Sequence, residues 1–176
     1  MTETKLTAQA FLDILFTNCD GWITTFSIEP GTDRRYTEWF PVDQTAEMAA
    51  HALTISADRN VWFGVATRAT RLPDGRRGGA LDCAQIGALW VDIDVAGANH
   101  ANVSGLLPDD ETAKRLLRDF PMFPSIVVKT GGGYHGYWLL DEAIDNADAT
   151  ALLERWAATW AKHAADNNCA IDNVFD

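Results

Sequence analysis

The sequence predicts an α+β domain with helices packed on a mainly antiparallel sheet, and three observations predict it. Runs rich in β-branched and aromatic residues are interspersed with stretches of helical periodicity. Several of the strand-like runs are joined by tight turn signals, so neighbours can pair antiparallel. The 176 residues, 47% of them hydrophobic, suffice for one domain with a real core.

The elements follow in order. Residues 7–18 carry Phe11, Ile14 and Leu15 at helical spacing. Gly21 to Ile28 (GWITTFSI) is a strand, Pro30-Gly31-Thr32-Asp33 a turn, and Tyr36 to Val42 its hairpin partner. Thr45 can cap a helix running to about Asp58, with Met48, Ala49, Ala52 and Leu53 on one face. Val61 to Thr67 is a strand, and Arg68 to Gly79 a loop containing Pro73-Asp74-Gly75. Ile86 to Val95 is a strongly apolar strand. Asp109 or Asp110 can cap a helix bearing Ala113, Leu116, Leu117 and Phe120. Ser125 to Lys129 and Tyr134 to Leu140 flank three glycines and read as a hairpin. Asp145 to Asn167 is a long helix that buries Leu152, Trp156 and Trp160, and Ala170 to Phe175 a last strand.

Bulk properties exclude several classes. No apolar run approaches the ~20 residues of a membrane helix, and no secretory leader is expected at the N-terminus. Cys19, Cys83 and Cys169 are too scattered for a disulfide framework or a zinc pattern, so no zinc is expected and each is read as a small core hydrophobe. A formal charge of −11 disfavours a protein that merely coats nucleic acid, because such binders gain affinity by neutralising phosphates. It does not disfavour an enzyme whose own carboxylates hold metal.

Two motifs carry chemistry. The segment Ala88 to Val95 reads ALWVDIDV. Side chains alternate along a strand, so Asp92 and Asp94 share one face, about 7 Å apart, while Val91, Ile93 and Val95 face the core. Paired carboxylates repel unless cations hold them, and hard divalent ions such as Mg²⁺ or Mn²⁺ take carboxylate oxygens. The segment Lys129 to Leu140 reads KTGGGYHGYWLL. Glycines at 131–133 let backbone N–H groups approach phosphate oxygens, and His135 can donate to a triphosphate. Lys129 and Thr130 enter the same turn and add a charge and a hydroxyl. Four arginines, Arg68, Arg71, Arg76 and Arg77, precede the aspartate strand with only Asp74 opposing them, and Arg68 is the best single candidate for contacting nucleotide or template. His51, His100 and His163 have no motif around them and are read as surface or helix residues.

The order of an apolar strand ending in Asp-x-Asp, a Gly-Gly-x-Tyr-His hairpin and a later Asp in Ala170-Ile171-Asp172-Asn173-Val174-Phe175 resembles the archaeo-eukaryotic primase superfamily. The resemblance is to the bifunctional primase-polymerase domains of phages, plasmids and mobile elements. It runs from about Trp22 to the C-terminus and includes Asn60 to Arg68 (NVWFGVATR).

It implies an RRM-like palm core with an N-terminal αβ unit, and a single catalytic domain over residues 1–176, cut short at its C-terminal end. Asp92, Asp94 and Asp172 become the catalytic acids holding two Mg²⁺ or Mn²⁺ ions, with Asp176 a weaker candidate than Asp172. His135 binds nucleotide, helped by Lys129, Thr130, Gly131, Gly132 and Arg68. The implied substrates are a single-stranded DNA template and nucleoside triphosphates, and the implied partner is a helicase domain or protein. The setting would be the cytoplasm of a bacterial or archaeal host. An Arg-rich strand that follows the third acid in the family is absent here. Two other readings remain open: a nucleotide-sugar glycosyltransferase using Asp92 and Asp94 with Mn²⁺, and a non-catalytic nucleic-acid-binding module.

Overall fold

A computed structural model of the chain describes residues 5–97 and 106–171. Among these, no helix is long and apolar enough to cross a membrane. Asp172, Asp176, His100 and most of the expected last strand lie outside the described residues.

The fold is α+β. Four helices, α1 (Ala8–Leu15), α2 (Thr45–Ile55), α3 (Asp110–Asp119) and α4 (Asn146–Asp166), accompany seven strands. The strands are β1 (Trp22–Ile28), β2 (Arg35–Pro41), β3 (Asn60–Phe63), β4 (Ala66–Arg68), β5 (Cys83–Asp94), β6 (Ile126–Lys129) and β7 (Gly133–Asp145). They form a mostly antiparallel sheet in the order β2-β1-β4-β5-β7-β6, with β3 also paired to β1. The chain falls into two compact units. One reaches from the N-terminal side to Gly87 and adds Asp141–Ala149, and the other comprises Ala88–Leu140 and the chain from Thr150 onward.

In the first unit, the expected hairpin forms with Trp22 opposite Pro41 and Ile28 opposite Arg35. Thr7 caps α1 by accepting from the Ala10 N–H at 3.1 Å. Leu12, Leu15 and Phe16 join Ile23, Met48 and Ile86 in the core.

Three local expectations are corrected here. Thr45 does not cap α2: Gln44 precedes the helix without a side-chain cap, and the Thr45 hydroxyl donates instead to the Asp13 carboxylate. Leu53 does not share the buried face of Met48 and Ala49 but is 65% exposed. Val61 to Thr67 is two strands rather than one, because the chain changes partner midway. β3 pairs with Thr25–Ile28 of β1, and β4 pairs with β5 through Ala66–Ile86 and Arg68–Cys83. Gly64 stands at the break, where a Cβ would come within 2.9 Å of the Thr24 hydroxyl.

The second unit is built around aromatic rings. Asp109 caps α3, accepting from the Thr112 N–H at 2.7 Å, and this bond holds its carboxyl below the usual range. Ala113, Leu116 and Leu117 of α3 are buried together with Phe120. The Phe120 ring stacks on Trp160 at 4.2 Å and meets Trp156 edge-on at 5.4 Å, and Trp138 lies 4.9 Å from Trp156. The Trp156 N–H donates to the Trp90 carbonyl at 2.7 Å, and the Trp138 N–H to the Met122 carbonyl at 3.0 Å. His163 is a residue of helix α4, and its ring joins this cluster: its Nε2 lies 2.9 Å from the Leu116 carbonyl and its ring 5.1 Å from Phe120.

Of the cysteines, Cys19 is buried and desolvation pushes its thiol up to about 11, whereas Cys83 and Cys169 are only half-buried. All three are free.

Candidate active site

β5 displays the alternation read from ALWVDIDV as far as Asp94, whereas Val95, expected in the core, follows the strand and is only half-buried. Val91 and Ile93 are fully buried, while Asp92 and Asp94 are half-buried on the other face. So apolar a strand fixes which way the carboxylates point, because a one-residue slip would bury both acids.

The glycine hairpin supplies the second side of the site. Ile126 pairs with Tyr137, Val128 with His135 and Lys129 with Tyr134. The turn closes through the Thr130 N–H to the Gly133 carbonyl at 2.9 Å, and the Gly132 N–H donates to the Thr130 hydroxyl at 3.2 Å. The hairpin tip is also tied to the end of β5, where the Val95 N–H donates to the Gly132 carbonyl at 2.8 Å. Gly133 is required by this close approach: a Cβ there would lie 1.9 Å from the Ile93 carbonyl oxygen. None of the three glycines has positive φ. The need met at Gly133 is therefore room for β5, a role that the expected phosphate nest did not foresee.

The two motifs meet at His135. Its Nε2 lies 3.2 Å from Asp92 Oδ1, with the side chains 30% and 19% exposed. Its Nδ1 lies 3.2 Å from the Tyr137 hydroxyl. Tyr137 is buried, and its phenol is pushed well above the ordinary range by desolvation first and by the Asp92 charge second. Sequence reasoning passed over Tyr137, although period-two spacing already put it on the face of His135.

Other expected members of the same unit are engaged elsewhere. Lys129 pairs with Tyr134 and so occupies the face opposite to His135. Its Nζ lies 2.7 Å from the Asp110 carboxylate and 5.7 Å from the Tyr134 ring centroid. That pairing, through the Lys129 hydrogen bond above all, holds the Asp110 carboxyl below and the Lys129 ammonium above their usual ranges. The Thr130 hydroxyl is engaged within the turn, and Gly131 faces open space. Arg68 belongs to the other unit. It is buried at 7% exposure, and its Nη1 donates to the carbonyls of Ala66 at 2.7 Å and Thr67 at 3.3 Å. Its Nε is buried and without a hydrogen-bond partner among the described residues. In the arginine loop, Arg77 stacks over the Phe26 ring at 4.7 Å, while Arg71 and Arg76 are exposed.

The donor chemistry of Asp92 and Asp94 suits a hard divalent cation, and the carboxylates are reachable from solvent. Among the described residues no group of three or more His, Cys, Asp or Glu side chains is gathered that could hold a metal ion. The expected third acid, Asp172, lies outside the described residues. No family model, curated protein or solved structure matches the chain.

Proposed function

We propose that the chain is a nucleotidyltransferase of the primase-polymerase kind, joining nucleotides on a single-stranded DNA template. One observation carries the reading. The Asp-x-Asp strand and the glycine-histidine hairpin, distant in sequence, present Asp92 and His135 side by side at 3.2 Å. A glycosyltransferase would account for the two acids but not for a histidine brought to them by a glycine turn.

In this reading Asp92 and Asp94, with Asp172, would hold two Mg²⁺ or Mn²⁺ ions. When bound, such ions activate the attacking 3′-hydroxyl and stabilise the leaving pyrophosphate. The protein's own groups do the rest. His135 Nε2–H, held beside the acids, donates to a phosphate oxygen of the incoming triphosphate. The hairpin tip, bonded to Val95, keeps that donor at a fixed height over β5. Arg68 offers a buried guanidinium whose charge no acid neutralises among the described residues, which suits an anionic group. A helicase as partner and a cytoplasmic setting belong to the same proposal.

The test is extension of a labelled primer on a DNA template with deoxynucleoside triphosphates and Mn²⁺. The wild type extends, and Asp92→Ala and Asp94→Ala each lose more than about 100-fold, since a direct metal ligand matters more than its supporting groups. Near-normal extension by either variant overturns the two-metal assignment. Sugar transfer from a nucleotide sugar, without extension, establishes the glycosyltransferase instead.

A further inference from the structure

We propose that Tyr137 is the positioning residue that holds His135 in register for a triphosphate beside Asp92. The inference rests on the reading of His135 as the nucleotide-binding histidine and adds to it a residue that no motif pointed to.

The geometry carries it. As a donor to a phosphate oxygen, a neutral His135 carries its proton on Nε2, the nitrogen that lies 3.2 Å from Asp92 Oδ1. Nδ1 is then an acceptor, and the group facing it at 3.2 Å is the Tyr137 hydroxyl, which donates. The Tyr137 O–H then donates to Nδ1, and Nε2–H faces the ligand beside Asp92. The ring is thus held from its far side by one partner, and a Phe at 137 could not hold it so.

The phenol is itself immovable. Tyr137 is 1% exposed, pairs across the hairpin with Ile126 and shares the strand and face of His135. The restraint is thus local to β6 and β7 and does not depend on the acids. When an anionic ligand takes Nε2–H beside Asp92, the bond from Tyr137 keeps the ring aimed at the same spot. A histidine without it would lose orientation at the moment it binds, and affinity would fall as it does when supporting groups of a site are removed.

The experiment is a double-mutant cycle on the full chain. Binding of dATP with Mg²⁺ is measured by calorimetry for wild type, Tyr137→Phe, His135→Ala and the double variant. Tyr137→Phe weakens binding by about 10-fold, His135→Ala weakens it further, and the double variant matches His135→Ala, because Tyr137 acts only through the imidazole. An equal loss from Tyr137→Phe in both backgrounds, or none in either, overturns the proposal.

Side-chain ¹⁵N resonances of His135, recorded in EDTA, supply a readout independent of any ligand. Nδ1 shifts in Tyr137→Phe while Nε2 keeps its proton; an unmoved Nδ1 resonance also overturns the proposal. Should Tyr137→Phe fail to fold, the wild type alone decides, since a Tyr137 hydroxyl proton bonded to Nδ1 exchanges slowly and shows close contact with the His135 ring. If no protein binds triphosphate, the nucleotidyltransferase reading falls, and the nitrogen resonances still decide whether Tyr137 positions His135.

Discussion

The unit carrying α1 and α2 hides hydroxyl groups and a guanidinium, whereas the unit carrying α3 hides aromatic rings. Thr24, Thr25, Ser27, Thr45, Thr67 and Arg68 are all buried in the first. Phe120, Tyr134, Tyr137, Trp138, Trp156 and Trp160 are buried in the second, where no Ser, Thr, Asn, Gln or charged residue is buried among the described residues. The difference teaches where each unit can keep chemistry. An interior of interlocked rings leaves no place for an acid, so the acids and His135 stand half-exposed on the sheet face, with their backbone held rigid from below. The first unit holds its buried cation against the carbonyls of Ala66 and Thr67, at the cost of an incompletely satisfied guanidinium.

The largest way to break the contrast is Trp160→Ala. It removes a fully buried ring stacked on Phe120, and a loss of about 3–5 kcal/mol is expected by chemical denaturation. A loss below about 1 kcal/mol would mean that the rings are not what holds this unit together.

Arg68→Met sharpens the other side. Replacing a buried charge with no acid partner among the described residues should leave the melting temperature unchanged, or raise stability by about 1 kcal/mol. Inorganic triphosphate, if Arg68 takes an anion, should stabilise the wild type and not the variant. A drop of more than about 2 kcal/mol would show that the bonds to Ala66 and Thr67 outweigh the desolvated charge.

The smallest effect concerns Cys19. Its thiol is raised in the folded state from 9.0 to about 11 by burial. The folded state therefore resists ionisation that the unfolded chain undergoes. The contribution is fully present below pH 9.0 and is lost as pH rises towards about 11. Between those values the wild type should lose stability faster than Cys19→Ala does, as read from denaturation midpoints. Parallel pH curves for the two proteins would contradict the burial argument.

Much of this was legible in the sequence, for identifiable reasons. The β1–β2 hairpin, the cap at Asp109 and the shared face of Asp92 and Asp94 depend on residues close together in the chain, where period and turn chemistry suffice. The split at Gly64 was not legible, because periodicity records which way a side chain points and not which strand it pairs with. The partner of Lys129 is Asp110, on a helix before the hairpin, and no local pattern joins them. His163 could be read as a helix residue but not as part of the cluster, because helical spacing marks its neighbours Trp156 and Trp160 and cannot show that Phe120 comes from elsewhere to complete it. The meeting of Asp92 with His135 is consistent with the order of motifs, while Tyr137 emerged only once β7 had a face and a depth.

The knot of backbone bonds at the end of β5 has a dynamic consequence. Val95 donates to Gly132, Ala96 to the Leu107 carbonyl at 2.7 Å, and Leu107 to the Asp94 carbonyl at 2.9 Å. The amide hydrogens of these three residues exchange with solvent only when the knot opens. In heavy water the Val95 amide therefore clocks the lifting of the hairpin tip, and its protection measures the free energy of that opening. A ligand gripping both the acids and the tip would slow this clock, so one backbone proton would report occupancy of the site without any label on the ligand.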